Sequence, residues 1–130
     1  MGYSLENHLE TVFQEFGIRY ARQAITEQGH KPDFLFPDKA SYHDLDFPAA
    51  NLRMLGVKST CKDRWRQVLT EAARIEHKHL LTLEPGISET QTAQMQAGNL
   101  RLVLPTGLHE TYQPDQRRWL INLFEFISLV

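Results

Sequence analysis

Leu5, Leu9, Val12, Phe13 and Phe16 recur at intervals of three and four, which predicts an amphipathic helix over 4–16 with Ser4 as its cap and Gly17 as its stop. The period then changes. Ile18 to Ile25 reads as an extended arm, and Glu27-Gln28-Gly29-His30 carries turn residues. Residues 33–36 form a short apolar run between Pro32 and Pro37 and read as a strand. Residues 38–51 are polar and irregular, a surface loop, and 52–59 reads as a strand buried on at least one face. From Asp63 to His77 the helical period returns, with Trp65, Val68, Leu69, Ala72 and Ile75 as its apolar stripe. Leu80–Leu83 and Leu100–Leu104 are two further strands, the second stopped by Pro105. Between them Ser88-Glu89-Thr90-Gln91 is a capping-box pattern opening a helix that Gly98 closes. Pro114 begins a last helix, with Trp119, Leu120, Leu123, Phe124 and Ile127 packed against the sheet. Strands alternating with helices predict an α/β fold, a central mixed sheet flanked by helices.

Composition narrows the class. A chain of 130 residues, 42% hydrophobic and 23% charged, fits one globular domain. No apolar run approaches a membrane span, and the N-terminus lacks a secretory pattern. One cysteine, Cys61, excludes an internal disulfide framework and a multi-cysteine zinc site. A cytoplasmic protein is expected. The net charge is −2, which by itself disfavours a nucleic-acid partner. Its distribution favours one: from Arg53 to Lys78 seven lysines or arginines face three acids, a local +4 on an acidic body. A solvated basic face is the competing reading.

Three residues carry candidate chemistry. Asp33 follows Pro32 at the start of a strand, Lys58 ends the strand 25 residues on, and Glu71 comes 13 residues later. Two acids and a lysine directed at a common point suffice for metal-assisted phosphodiester hydrolysis: the acids hold a hard cation and the lysine orients the attacking water. On a helix over 63–77, Glu71 and Arg64 are seven residues apart and share an azimuth. Glu71 then reaches inward along the sheet edge while Arg64, near the helix start, reaches outward, where a phosphate is also favoured. Each residue has a plainer reading: Asp33 as turn chemistry, Lys58 as a solvated strand end, Glu71 as an ion-pair partner of Arg74. Gly56 stands two before the lysine, where the common nuclease pattern has Asp or Glu, so Glu71 must substitute. Arg53, Arg66 and Arg74 are candidate phosphate contacts. Tyr42 and His43 lie between Asp33 and Lys58 and are candidates for approach to the scissile phosphate, with loop packing as the competing role. His77 and His79 lack a third ligand for zinc. Trp65 reads as core and Cys61 as packing.

The runs Pro32-Asp33-Phe34-Leu35-Phe36-Pro37, Lys58 through Leu69, Glu71-Ala72-Ala73-Arg74-Ile75, Lys78 through Ser88, and Leu102-Val103-Leu104-Pro105 resemble the catalytic domain of EcoRII-type restriction endonucleases. The resemblance covers most of 27–112 and is strongest over 56–88. That family is a branch of the PD-(D/E)xK nucleases whose second carboxylate has moved from strand to helix. Glycine at 56 with glutamate at 71 fits the branch. The resemblance implies a restriction-endonuclease-like core and Mg²⁺-dependent double-strand cleavage at a short palindrome of the CC-(spacer)-GG class. By position it implies metal ligation by Asp33, Glu71 and the Val57 carbonyl, with Lys58 holding water. The basic-acidic-basic triplet Lys62-Asp63-Arg64 would read C:G pairs. Lysine and arginine donate to guanine and aspartate accepts from cytosine, each contact giving about 1–3 kcal/mol of discrimination. A single nuclease domain over 1–130 is expected, without the relatives' separate effector DNA-binding domain. Two-fold pairing into a homodimer and a cognate DNA methyltransferase are implied as partners. The alternatives are a monomeric nicking or repair-type endonuclease of the same fold, and a DNA-binding derivative that no longer cleaves.

Overall fold

The computed structural model describes residues 2–23, 25–26 and 29–130, with backbone only for Gly2, Tyr3, Ser4, Lys62 and Asp63. Helix α1 spans Gly2–Glu15, so Ser4 lies inside it and does not cap it. Gly17 ends the run in a left-handed conformation (φ +67), as a glycine does at little cost. Five strands follow: β1 (Ala21–Arg22), β2 (Phe34–Phe36), β3 (Arg53–Lys58), β4 (Lys78–Thr82) and β5 (Leu100–Val103). They lie in sequence order in one sheet. The pairs β1/β2 and β2/β3 are antiparallel, β3/β4 and β4/β5 parallel. The expected mixed α/β sheet is present. Glu27 and Gln28 of the expected turn Glu27-Gln28-Gly29-His30 lie outside the described residues.

Alternation along the strands builds two apolar layers. Leu35, Met54, Leu80, Leu100 and Leu102 point to one face, where they meet Trp65, Val68, Ile75 and Met95. Phe34, Phe36, Leu55, Val57, Leu81 and Val103 point to the other, under Leu9 and Phe13 of α1 and Phe126 near the C-terminus. Phe13 sets its ring edge-on to both Phe34 and Phe36, at 5.1 and 5.3 Å. The helix α3 (Glu89–Ala97) starts as read: the Ser88 side chain accepts from the Gln91 amide, and Gly98 closes the helix.

Three readings need correction. The loop 38–51 holds a short helix α2 (Lys39–His43), capped by Asp38 through the Ser41 amide, and a 3-10 turn at Ala49–Asn51. The single helix expected from Pro114 is two pieces, α5 (Pro114–Arg117) and α6 (Leu123–Ile127), and a short helix α4 (Thr106–His109) precedes it. Ile121 bonds in parallel to β5, donating to Leu102 and accepting from Leu104, and this ladder outcompetes helix continuation. Asn122 then caps α6 reciprocally with Glu125. Phe124, expected against the sheet, is 65% exposed. Lastly, the helix over 63–77 is a 3-10 segment, Lys62–Thr70, followed by turns. Glu71 is extended (φ −88, ψ 148) and Ala72 is left-handed (φ +51). Tertiary acceptors replace helical ones here: the Ala72 amide donates to Thr26 Oγ1 and the Arg74 amide to the Tyr42 hydroxyl.

Candidate active site

The end of β3 is where chemistry gathers. β2 runs antiparallel to β3 with Phe34 opposite Leu55, so Asp33, one residue before the strand, arrives opposite Gly56 with its side chain within reach of the Val57 amide. Its Oδ2 accepts the Val57 amide at 2.6 Å, extending the ladder with a side chain and orienting the carboxylate. Lys58 is the next residue, half-buried, paired with Thr82 of β4. Glu71 comes from the break after the 3-10 segment, not from a helix flank. The shared azimuth of Arg64 and Glu71 therefore does not exist; Arg64 is exposed on the first turn and Glu71 is half-buried beyond the last.

Electrostatics tie the three together. Burial pushes the Glu71 carboxyl up to about 7, the Asp33 carboxylate adds to the rise, and Lys58 and Lys78 oppose it. Asp33 is also raised, first by burial and then by Glu6, against the Val57 amide, Lys58 and Arg22. Glu71 Oε1 is buried with no hydrogen-bond partner among the described residues. An acceptor without a donor, beside a second carboxylate, fits a cation. The ion pair between Glu71 and Arg74 is absent; Arg74 is engaged elsewhere. A Cβ at Gly56 would lie 3.2 Å from Val68 Cγ2 and 3.4 Å from Leu80 Cδ1, so apolar side chains pack closely over this position.

The sequence reading passed over Glu6 and Arg22. Glu6 is a buried acid on α1 whose field reaches Asp33, held by Arg22 Nη2 at 3.1 Å, while Arg22 Nη1 also takes Glu10 and Asn7. The i, i+4 pair Glu6 and Glu10 on one helix face was the available signal.

The remaining candidates separate by engagement. Arg74 donates to the carbonyls of Ser41, Tyr42, Asp44 and Phe47, clamping the α2 segment. Arg53 donates to the Ala50 and Leu52 carbonyls. Arg66 is exposed, stacks 4.5 Å from the Trp65 ring and donates to Gln94. Tyr42 is a core residue, 1% exposed, and His43 bonds the Ile25 carbonyl at 2.9 Å. Both sit in the packing of this segment. The side chains of Lys62 and Asp63 lie outside the described residues. Trp65 is core, donating to Gln91. A cavity of about 650 Å³ opens at the other end of the sheet, lined by Arg53, Lys78, His79 and Arg101, away from the carboxylates. No described helix is long and apolar enough to cross a membrane.

A mixed five-stranded sheet with an acid just before its second strand and a lysine ending its third is the arrangement of restriction-endonuclease-like folds. Metal-depleted Ecl18kI in complex with uncleaved DNA superposes with a TM-score of 0.80 at 22% identity, over 98% of this chain and 43% of that one. Ecl18kI with uncleaved, modified DNA gives 0.83 over the same shares. The family model for the EcoRII C-terminal region matches residues 1–127, and the chain belongs to that family. The type II restriction enzyme EcoRII of Escherichia coli is 53% identical over 128 residues, which is 98% of this chain. The chain spans about a third (32%) of that relative's length.

Proposed function

We propose that the chain is a Mg²⁺-dependent restriction-type endonuclease that cleaves double-stranded DNA at a short palindrome of the CC-(spacer)-GG class. The observation that carries this is the Glu71 carboxyl: pushed up first by burial and then by Asp33, opposed by Lys58, and with one oxygen lacking a donor among the described residues. Asp33, Glu71 and the Val57 carbonyl would hold the ion, and the kinship with the type II restriction enzyme EcoRII supports the nuclease reading. When bound, Mg²⁺ supplies Lewis acidity toward a phosphate oxygen and acidifies water. The chain's own residues supply position. The Val57 amide fixes one Asp33 oxygen, and in doing so fixes the carboxylate to the same backbone that carries Lys58. Lys58 orients the attacking water and compensates the two acids. Lys62, Asp63 and Arg64 open the segment that leads to Glu71, so base reading and ion binding share one stretch of chain. Arg66, exposed beside Trp65, neutralises phosphate.

The test uses duplexes carrying the target or a single C:G replacement. Discrete fragments in Mg²⁺, lost in EDTA and in Lys58→Ala, are expected. Intact target over a wide range of salt and protein concentrations would refute the cleavage reading. Metal-free binding of the target in that case would favour the non-cleaving derivative.

A further inference from the structure

Between Lys58 and the 3-10 segment the chain has only Ser59, Thr60 and Cys61 in which to turn. The end of β4 holds this turn at three points. The Ser59 carbonyl accepts from the Leu83 amide at 3.2 Å and from the Thr82 hydroxyl at 3.3 Å. The Cys61 amide donates to Glu84 Oε1 at 2.8 Å. Cys61 is 1% exposed and caps the segment; its carbonyl accepts from the Arg64 amide at 2.6 Å, which closes the first turn. Glu84 is itself anchored. Its amide donates to Thr82 Oγ1 at 3.2 Å, and its carbonyl accepts the buried Tyr112 hydroxyl at 2.5 Å.

We infer that Glu84 is a positioning residue for base recognition: through the Cys61 amide its carboxylate sets where 62–64 stand relative to Lys58. The inference rests on the proposed role of 62–64 as base readers and deepens it. The physical argument is one of leverage. The opening amides of a helical segment have no partner within it, so an outside acceptor decides where the segment starts. A carboxylate accepting an amide is a charge-assisted bond, stronger than a neutral one. Small displacements of groups that read a substrate cost far more than their bond energies suggest. Glu84 lies beyond the strand that pairs with Lys58, so the same β4 terminus registers both the water-orienting lysine and the reading segment.

The test compares kcat/KM on the target duplex and on one with a single C:G pair replaced, in wild type, Glu84→Ala and Glu84→Gln. The ratio should fall about tenfold or more in Glu84→Ala, one lost base contact. Glu84→Gln, which keeps an acceptor oxygen, should restore most of it. A purely structural role would lower both rates together and leave the ratio unchanged. Amide exchange of metal-free protein gives a readout independent of cleavage: Cys61 should exchange faster in Glu84→Ala and as slowly as wild type in Glu84→Gln. Should Glu84→Ala not accumulate folded, Tyr112→Phe keeps the ring and removes the hydroxyl on the Glu84 carbonyl. About a threefold fall in the ratio is then expected. A wild type that does not discriminate sinks the recognition reading and this inference with it. A discriminating wild type with an indifferent Glu84→Ala, or with Cys61 exchange unchanged, sinks the inference alone.

Discussion

In the proposed site Glu71 takes the part of an acid two residues before Lys58, where Gly56 stands. A Cβ at Gly56 would press on Val68 and touch Leu80, while Glu71 enters from the chain break after Thr70. This placement costs stability. Glu71 titrates from its ordinary 4.5 up to about 7, through burial first and Asp33 second. The sign follows from proton counting. Between those values the folded chain holds a proton that the unfolded chain has released, so the contribution is complete below pH 4.5 and is lost as pH rises through 7. After allowance for partial exposure, this amounts to about 1–2 kcal/mol. Glu71→Gln should therefore raise the metal-free stability at pH 8 by about 1–2 kcal/mol while abolishing cleavage. Mg²⁺ should stabilise the wild type and leave the variant unmoved. Urea unfolding at pH 5 and pH 8, with and without Mg²⁺, checks all of this. Equal stability of the two proteins at pH 8 would count against a destabilising carboxylate.

At the scale of elements, what was legible depended on whether local pattern and tertiary pairing agreed. β2 to β5 and α3 lie within two residues of the ends that the apolar runs, the flanking prolines and the Ser88 cap mark, while β1 is a short part of the extended arm Ile18 to Ile25. Of the stripe Trp65, Val68, Leu69, Ala72 and Ile75 all but the half-buried Leu69 are buried, but the pattern does not fix the conformation, since the step of three from Trp65 to Val68 serves a 3-10 segment as well as a helix. What ended the segment at Thr70 was not local: Thr26 and Tyr42, distant in sequence, supply acceptors for the amides of Ala72 and Arg74. The C-terminal break was partly legible, since Asn122 three before Glu125 is a capping pattern. The pairing of Ile121 with β5 was not. Arg74 shows the same limit on the candidate site, where a basic residue in a basic run resembled a phosphate contact. Its four carbonyl bonds to the α2 segment predict that Arg74→Ala loses about 2–3 kcal/mol, with Arg74→Lys recovering only part, because an ammonium cannot fork across four acceptors. Denaturant midpoints and proteolysis within 38–48 test the clamp. An unaltered midpoint with a shallower salt dependence of DNA binding would return Arg74 to the phosphate role.

The whole molecule keeps its two ends electrostatically distinct. At the carboxylate end acids are pushed up; at the other end burial lowers His79 to about 4, helped by Arg101, Arg53 and His77. Its ring lies 5.0 Å from Phe126, and Nδ1 has no hydrogen-bond partner among the described residues. A neutral His79 contributes stability in full above about pH 6.5, and loses it as pH falls toward 4, because the unfolded chain takes up a proton that the folded chain refuses. The two slopes oppose each other between pH 4.5 and 6.5. Glu71→Gln should thus expose a steeper acid loss, and His79→Leu in that background should flatten it, as thermal midpoints from pH 4 to 8 would show. Assembly bears on the same scale. On the proposed function, one copy of the segment that opens at Lys62 would read one half-site, so a palindrome would call for two copies related by a two-fold axis. With a supercoiled plasmid bearing one target, linear DNA should be the first product at protein concentrations where sizing gives a dimer. Dilution should favour nicked circles, since a lone copy cuts one strand before a second arrives. Nicked circles as the lasting product at every concentration, from a protein that sizes as a monomer, would instead support the nicking alternative, with the carboxylates and Lys58 keeping the same roles.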